Sequence, residues 1–351
     1  MIKINKHIEI VTSSDTRFSS MSKESYNNIL SVLKKYYTNV GVSIVNNSAD
    51  LKALVLKRPD LVFLGIKFLP TDYNLGLEDP KKIWISSYLD KYGIEYTGSG
   101  KITHEMDFNK HLAKQCVLDA DLSTSAFHVI DKNQKQIREN NISLRFPLFI
   151  KPTNRGGGIG INSKSVVYNI DELRLKVRSI SNIFHSDSLI EEYLPGREFS
   201  VAILRNEGSK RFSVMPIELI APLNESGTRL LSKKIKSSNT ESAIKITDYS
   251  IKRKVESIAI DVFYALSARD YGRIDIRLDR LGNPQFLEAN LIPSLIEDYG
   301  SFPKACMINL GLSYENMIRR IVNLALERES NIRESRVRYS KINKAFVDNT
   351  L

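Results

Sequence analysis

Asp275, Glu288 and Asn290 are the residues best suited to chemistry. They lie in Gly272-Arg273-Ile274-Asp275-Ile276-Arg277-Leu278, a turn over 279–283, and Gln285-Phe286-Leu287-Glu288-Ala289-Asn290. Both runs read as strands, and the short turn between them makes a hairpin. Arg273 and Asp275 then share one face, Glu288 and Asn290 share one face, and the register brings Asp275 near Glu288. Two carboxylates and an amide carbonyl are hard oxygen donors. They suit Mg²⁺, which takes few protein ligands and completes its shell with water and phosphate. Arg273 beside them can hold a phosphoryl group in transfer. A solvent-facing acidic hairpin is disfavoured, because Glu288 and Asn290 stand among Leu287, Ala289, Leu291 and Ile292, a setting in which idle acids are costly.

A second constellation precedes the hairpin. Lys151 ends an apolar strand, Pro152 follows, and Arg155-Gly156-Gly157-Gly158-Ile159-Gly160 forms a flexible loop. Glycines let backbone N–H groups approach phosphate oxygens. A strand-end lysine reaches an α- or β-phosphate as a point charge. Alone, such a loop could be a plain linker; Lys114, Lys151 and the hairpin arriving in this order give it weight. Other nucleotide and catalytic motifs are missing. Gly100-Lys101 is followed by Ile102 and lacks the upstream glycine of a Walker loop, and no G-x-G-x-x-G opens a helix near the N-terminus. Neither His-Glu-x-x-His nor Gly-x-Ser-x-Gly occurs.

The elements that must position these groups follow from periodicity. Strands are expected at 8–11, 42–45 and 60–64, the last apolar enough to be buried on both faces. A helix over 22–37 puts Tyr26, Ile29, Leu30, Leu33 and Tyr37 on one face. Pro80 opens a helix with Trp84, Tyr88 and Leu89 inward. This is a parallel α/β unit ending near Tyr96-Thr97-Gly98-Ser99-Gly100. A helix over 105–119 carries Lys110 and Lys114. Strands at 127–130 and 148–150, a helix over 171–180, and strands at 189–194, 199–204 and 212–219 follow. The polar stretch 224–247 reads as a mobile loop. A long helix over 250–267 precedes the hairpin, and a last helix runs from 314 to about 327.

Taken in order, Lys114, Lys151 with its glycine loop, Glu191-Glu192-Tyr193-Leu194 with Glu198, Arg273 with Asp275, and Glu288 with Asn290 resemble the ATP-grasp superfamily. The D-alanine–D-alanine ligase family is the nearest likeness. It rests on Tyr96-Thr97-Gly98-Ser99-Gly100, Tyr271-Gly272-Arg273-Ile274-Asp275, Leu287-Glu288-Ala289-Asn290, and Ser301-Phe302-Pro303-Lys304 followed by Gly311-Leu312-Ser313-Tyr314. The likeness covers roughly residues 95–325. It implies an α/β (α+β) ATP-grasp fold, with an N-terminal parallel α/β domain over 1–104 and two α+β subdomains enclosing ATP. The central one, with the glycine loop, spans 105–195; the C-terminal one, with the metal site, spans 196–330; a basic tail occupies 331–351.

The resemblance also implies roles. Lys114 and Lys151 bind ATP phosphates, and a lysine of Ser232-Lys233-Lys234, with Lys234 preferred, adds a further phosphate ligand. Gly156, Gly157 and Gly158 close over the β- and γ-phosphates. Glu191 accepts from the adenine amino group, the backbones of Glu192 and Leu194 contact the ring edge, and Glu198 binds the ribose hydroxyls. Asp275, Glu288 and Asn290 hold two Mg²⁺, with Mn²⁺ as an alternative. Arg273 stabilises an acyl-phosphate and the tetrahedral intermediate that follows. The implied reaction joins a carboxylate to an amine with ATP, and positioning and charge neutralisation do most of the work. This accounts for the lack of an evident nucleophile–base pair.

Departures gather at the acceptor end. The family carries a glycine-rich start with a glutamate for the first amino acid's ammonium. Here Val11-Thr12-Ser13-Ser14-Asp15-Thr16-Arg17 stands in its place, leaving Asp15 or Arg17 to contact substrate. Lys67-Phe68-Leu69-Pro70-Thr71-Asp72 replaces a His-Gly and acidic-glycine pattern. The family's substrate-orienting loop serine falls among the glycines 156–158, and no tyrosine follows Lys234. Ser294 occupies the position of a glycine whose amide helps bind an oxyanion; an amide survives that change. Ser301 is the candidate reader of a substrate carboxylate. The expected function is a ligase acting on an amino acid, dipeptide or related acid other than two D-alanines. A true D-alanine–D-alanine ligase serving peptidoglycan and an ATP-binding protein without turnover are the alternatives. The resemblance also implies a homodimer.

Composition sets the outer limits. With 351 residues, 42% hydrophobic and 26% charged, the chain has an ordinary globular make-up and room for two or three subdomains. No apolar run approaches the roughly 18 residues of a membrane span. The N-terminus passes straight into a strand pattern without a leader, so a cytoplasmic protein acting on small molecules is expected. A net charge of +11 raises the question of nucleic acid. The basic residues are spread out, however, with no aromatic-interleaved motif, and the densest cluster, 328–344, reads as a solvated tail. Cys116 and Cys306 have no metal-ligand spacing, and Cys116 reads as a buried free thiol.

Overall fold

A computed structural model of the chain describes residues 2–134, 136–138, 142–224 and 227–328. The N-terminal sheet runs in the order Tyr37–Ile44, Ile4–Thr12, Leu61–Leu64, Glu95–Tyr96, with all neighbours parallel. Such a sheet needs cover on both faces. Leu61 and Phe63 pack with Ile29 and Leu33 of the helix Lys23–Tyr36, whose N-terminus is capped by Ser22. Val62 and Leu64 point the other way, onto Leu51, Leu54, Ile85 and Leu89 of the helices Ser48–Leu56 and Ile85–Lys91.

The first of these cores continues past the N-terminal sheet. It runs on through Ala202, Leu204, Met215 and Ile217, and through Phe302, Met317 and Ile321. These belong to a second sheet of five antiparallel strands, ordered Ser242–Lys245, Phe212–Ile220, Glu198–Arg205, Tyr271–Leu278, Pro284–Asn290, and to the helices Ser301–Leu310 and 314–328. The opposite face of this sheet buries Val201, Ile203, Ile274, Ile276 and Phe286 against the helix Tyr249–Ala265. A third sheet, Phe127–Ile130, Ser188–Glu192, Leu148–Pro152, Val166–Val167, packs on the helix Ile170–Phe184 around a core of its own.

Several local expectations change. Pro80 opens no helix: Lys82–Trp84 pairs with Phe68–Pro70, and the helix begins at Ile85. The Asp79 carboxylate collects the N–H groups of Thr71, Asp72 and Lys81, so the chain around Pro80 closes a turn instead. The helix expected over 105–119 is two, Lys101–Phe108 and Lys110–Asp119, divided where Asn109 is extended. The polar stretch 224–247 contains the helix Lys233–Ser238, capped by Ser232, and the edge strand Ser242–Lys245. Cys116 is half-buried and its Sγ donates to the Ala265 carbonyl at 3.3 Å. Arg328 is not solvated; it pairs with Asp270 and Glu95 and donates to the Tyr96 carbonyl. The rest of the basic cluster and the tail 331–351 lie outside the described residues. Among the described residues no helix is long and apolar enough to cross a membrane.

Phe286 is fully buried between the hairpin and the helix Tyr249–Ala265. Truncating a ring in such a site leaves a cavity, so Phe286→Ala should lower stability by about 3–5 kcal/mol. Urea unfolding measures this, and a loss below about 1 kcal/mol would contradict the packing described.

Candidate active site

The hairpin fixes the first groups. Arg273 pairs with Asn290 and Asp275 with Glu288 across the two strands. The register then shifts, so that Ile276 faces Phe286 and Leu287 is the extra residue of a bulge. Without the bulge, Phe286 would share a face with Glu288. With it, Phe286 enters the core while Leu287 and Glu288 both line the cleft. Asp275 is held from three sides. Arg273 donates to both its oxygens at 2.9 and 2.8 Å, Asn290 Nδ2 donates at 3.2 Å, and Ser200 Oγ from the next strand donates at 2.8 Å.

Glu288 faces a field of cations. Burial favours its neutral form, but Lys110, Lys151, Lys236 and Arg273 outweigh this and hold the carboxyl well below the usual carboxylate range. Lys110 Nζ is the nearest, 3.4 Å from Oε2. Glu198 behaves oppositely. Burial, aided by Asp275 and Glu288, raises it above its ordinary 4.5 despite Arg277, whose guanidinium lies 3.1 Å away, and Lys236.

Beneath the cleft, Lys114 and Lys151 share one carboxylate. Their ammonium groups lie 2.7 and 2.8 Å from the two oxygens of Glu191. Lys114 is fully buried and also donates to Thr124 Oγ1 and Ser125 Oγ at 2.6 and 2.9 Å. Burial opposes ionisation of Glu191, yet the two lysines hold it below the usual range. Its carboxylate is thus turned to the lysines. Glu192, Tyr193 and Leu194 line the cleft, with Phe149 and Leu287 among its apolar walls.

The glycine loop lies across the mouth. Gly158 has φ +75°, and a Cβ there would meet Lys233 N at 2.7 Å and Leu231 O at 2.8 Å. The close approach allows the Lys233 N–H to donate to the Gly158 carbonyl at 3.2 Å. Gly156 and Gly157 have nothing within 4 Å of a Cβ position, which leaves their backbone open to a ligand. Lys234 is exposed and does not line the cleft; Lys236 does. A short helix turns the side chain two residues later inward, a shift that composition alone does not signal. Ser294 is half-buried beyond the hairpin, its carbonyl packed on Gly300. At the acceptor end Asp15 and Arg17 close on each other, with a shortest contact of 2.7 Å. Lys67 pairs with Asp107 at 2.8 Å, and Asp107 in turn accepts the Leu291 N–H at 3.0 Å.

Lys110, Lys236, Arg277 and Ser200 were not among the sequence candidates for the site. Two of them had a signal: Lys110 stands four residues before Lys114 on one helical face, and Arg277 stands two after Asp275 on one strand face. The cleft therefore gathers Lys110, Lys114, Lys151, Lys236, Arg273 and Arg277 around Glu191, Glu198, Asp275 and Glu288. Cations exceed anions, and the excess suits a polyanion. Among the described residues no cluster of three or more His, Cys, Asp or Glu side chains could enclose a metal ion. Two carboxylates and an amide nonetheless fit an ion whose other ligands come from phosphate and water.

Comparisons with known proteins agree with this architecture. A family model described as the D-ala D-ala ligase C-terminus matches residues 117–323. The chain is 29% identical over 248 residues to the uncharacterized protein y4sG of Sinorhizobium fredii, covering 70% of each. It is 26% identical over 243 residues to a D-alanine–D-alanine ligase of Hydrogenovibrio crunogenus, covering 69% of this chain and 73% of that one. It is 29% identical over 239 residues to the D-alanine–D-alanine ligase of Bordetella petrii, covering 68% and 70%. The crystal structure of the D-alanine–D-alanine ligase from Bacillus anthracis complexed with ATP shares the fold. Its TM-score is 0.72 at 19% identity, over 94% of this chain and 99% of that one.

Fold and cleft together define an ATP-grasp ligase, an enzyme that joins a carboxylate to an amine with ATP. Within that class, the chain belongs to the D-alanine–D-alanine ligase-like family. The family uses ATP and Mg²⁺ and acts on small molecules.

The two carboxyls should titrate in a fixed order. Glu288, held below its ordinary 4.5, contributes stability that is fully present above that range and is lost as pH falls through its lower folded value. Carboxyl-carbon NMR with labelled glutamate should find Glu288 still ionised at the ordinary value of 4.5, where Glu198 is mostly protonated. The reverse order would contradict the charge field described.

Proposed function

We propose that this cleft binds ATP with Mg²⁺, or Mn²⁺ in its place, and phosphorylates the carboxylate of an amino acid, dipeptide or related acid for joining to an amine, the pair being other than two D-alanines. The observation that supports it most is the Asp275–Glu288 pair, set opposite each other by the strand register, with Glu288 kept ionised by surrounding cations. Asp275, Glu288 and Asn290 supply the oxygens for two ions. A metal held there would supply charge neutralisation for the phosphates.

The chain's own residues do the rest. Lys151, whose charged form Glu191 favours, and Lys114, which shares that carboxylate, hold phosphate oxygens. Lys236 takes the part that resemblance gave to Lys234. The amides of Gly156, Gly157 and Gly158 cover the β- and γ-phosphates. With the Glu191 carboxylate occupied by lysines, the purine edge is read by the main chain of Glu191, Glu192 and Leu194, and Glu198 takes the ribose hydroxyls. Arg273, anchored on Asp275, turns its remaining N–H groups to the transferring phosphoryl and then to the acyl-phosphate. The Ser294 amide faces the oxyanion formed when the amine attacks. Residues 1–104, 105–195 and 196–330 serve as acceptor domain, nucleotide lid and metal domain. The enzyme works in the cytoplasm, and a homodimer is its assembly.

The acceptor end supports a substrate other than two D-alanines. An amino acid's ammonium calls for an unengaged carboxylate. Asp15 is closed on Arg17, and Glu9 accepts from Ser43, Lys57 and His7. Authentic D-alanine–D-alanine ligation remains the second reading, because two of the relatives are D-alanine–D-alanine ligases by name.

A mass-spectrometric product screen with ATP, Mg²⁺ and pooled L- and D-amino acids, dipeptides and related acids tests the proposal. A new amide should form with ADP release, and Glu288→Gln should lower the rate about 10²–10³-fold. Product from D-alanine alone would sink the substrate assignment; no ADP release with any pool would sink the ligation itself.

A further inference from the structure

The glycine loop is tied to a residue that the ligase chemistry does not use. Glu78 lies in the N-terminal domain, in the single helical turn Gly76–Glu78. That turn is stiffened next door by Asp79, which accepts the N–H groups of Thr71, Asp72 and Lys81 at 2.6, 2.8 and 2.8 Å. Glu78 Oε1 reaches across to the root of the glycine loop. It accepts from Arg155 NH1 at 2.8 Å and from Asn154 Nδ2 at 3.0 Å. Lys132 Nζ stands 3.8 Å from Oε2. The pair is largely covered, with side-chain exposures of 16% for Glu78 and 10% for Arg155.

Arg155 is held at its other end too. Its carbonyl accepts from Lys110 Nζ at 2.7 Å, and Lys110 is the cation 3.4 Å from Glu288. Its NH2 donates to the Phe184 carbonyl at 2.6 Å. At the loop tip beyond it, a Cβ on Gly156 or Gly157 would meet nothing within 4 Å. The loop is fixed on its far side by Gly158, whose carbonyl accepts from the Lys233 N–H at 3.2 Å, and at its root, which is clasped by a carboxylate from a different domain.

We propose that Glu78 is the latch of the phosphate loop. It is a positioning residue that acts through Arg155 and Asn154 to keep the loop closed over bound nucleotide. The inference rests on the ATP-binding reading of the cleft. Opening the loop requires separating a covered, charge-assisted pair, so the latch acts chiefly on nucleotide release. It also joins the acceptor domain to the metal carboxylate by an unbroken line, Glu78–Arg155–Lys110–Glu288.

The test uses the full chain with Mg²⁺ and a fluorescent N-methylanthraniloyl ATP, and stopped-flow displacement by unlabelled ATP. Glu78→Gln and Arg155→Gln should each speed release about tenfold. The double variant should be no faster than either single one. Exchanging the charges, Glu78→Arg with Arg155→Glu, should recover slow release, which a merely structural role would not produce. Should the single variants fail to fold, Glu78→Asp, which shortens the reach by one methylene, should still speed release. Release at the unmodified rate in the single variants, or losses that multiply in the double one, would overturn the latch while leaving ATP binding intact. Failure of the unmodified protein to bind the nucleotide would overturn the ligase reading and the latch with it.

Discussion

The rest of the site depends on one electrostatic constraint: the Glu288 carboxylate must stay ionised in a cleft that shields it from water. Burial alone would neutralise Glu288. Four cations from four elements prevent this: Lys110 from a helix, Lys151 from the central sheet, Lys236 from a short helix on the far side, and Arg273 from the same hairpin. Without these cations burial would hold Glu288 in its neutral form. Removing one partner of such a network leaves a buried charge unmatched, which costs far more than the pair contributes.

That constraint explains why the architecture is three-part. Asp275 and Glu288 ride on a sheet welded to the N-terminal domain through a common core of Ile8, Phe63, Leu204 and Phe302. Lys151 and the glycine loop ride on a central sheet with a separate core. The cleft is the seam between them, and charge crosses it between Lys151 and Glu288. A seam held by polar contacts can open and close; one held by apolar packing cannot do so at comparable cost.

Much of this could be read from the residues, because the signals were local. The hairpin was legible from alternation and a short turn, and the opposition of Asp275 and Glu288 follows from register. The parallel N-terminal strands were legible as apolar runs. What escaped was non-local. The bulge at Leu287, which sends Phe286 into the core while Glu288 stays in the cleft, depends on which face the helix Tyr249–Ala265 covers. The helix Lys233–Ser238, which brings Lys236 rather than Lys234 inward, has no buried residue of its own to betray it. The Lys114–Glu191–Lys151 cluster joins residues 77 positions apart between Lys114 and Glu191, and no spacing rule reaches that far. The acceptor end was legible only as a mismatch, and the closed Asp15–Arg17 pair gives that mismatch a physical form.

The central claim is that this cleft makes a carboxyl–phosphate bond. It is tested most directly with a donor acid carrying ¹⁸O in its carboxylate, once a product-forming pair is in hand. If the carboxylate attacks the γ-phosphorus and the amine then displaces phosphate, one labelled oxygen must leave in inorganic phosphate. The account predicts singly labelled phosphate alongside ADP. Label in AMP with release of pyrophosphate, or phosphate carrying no label, would contradict it.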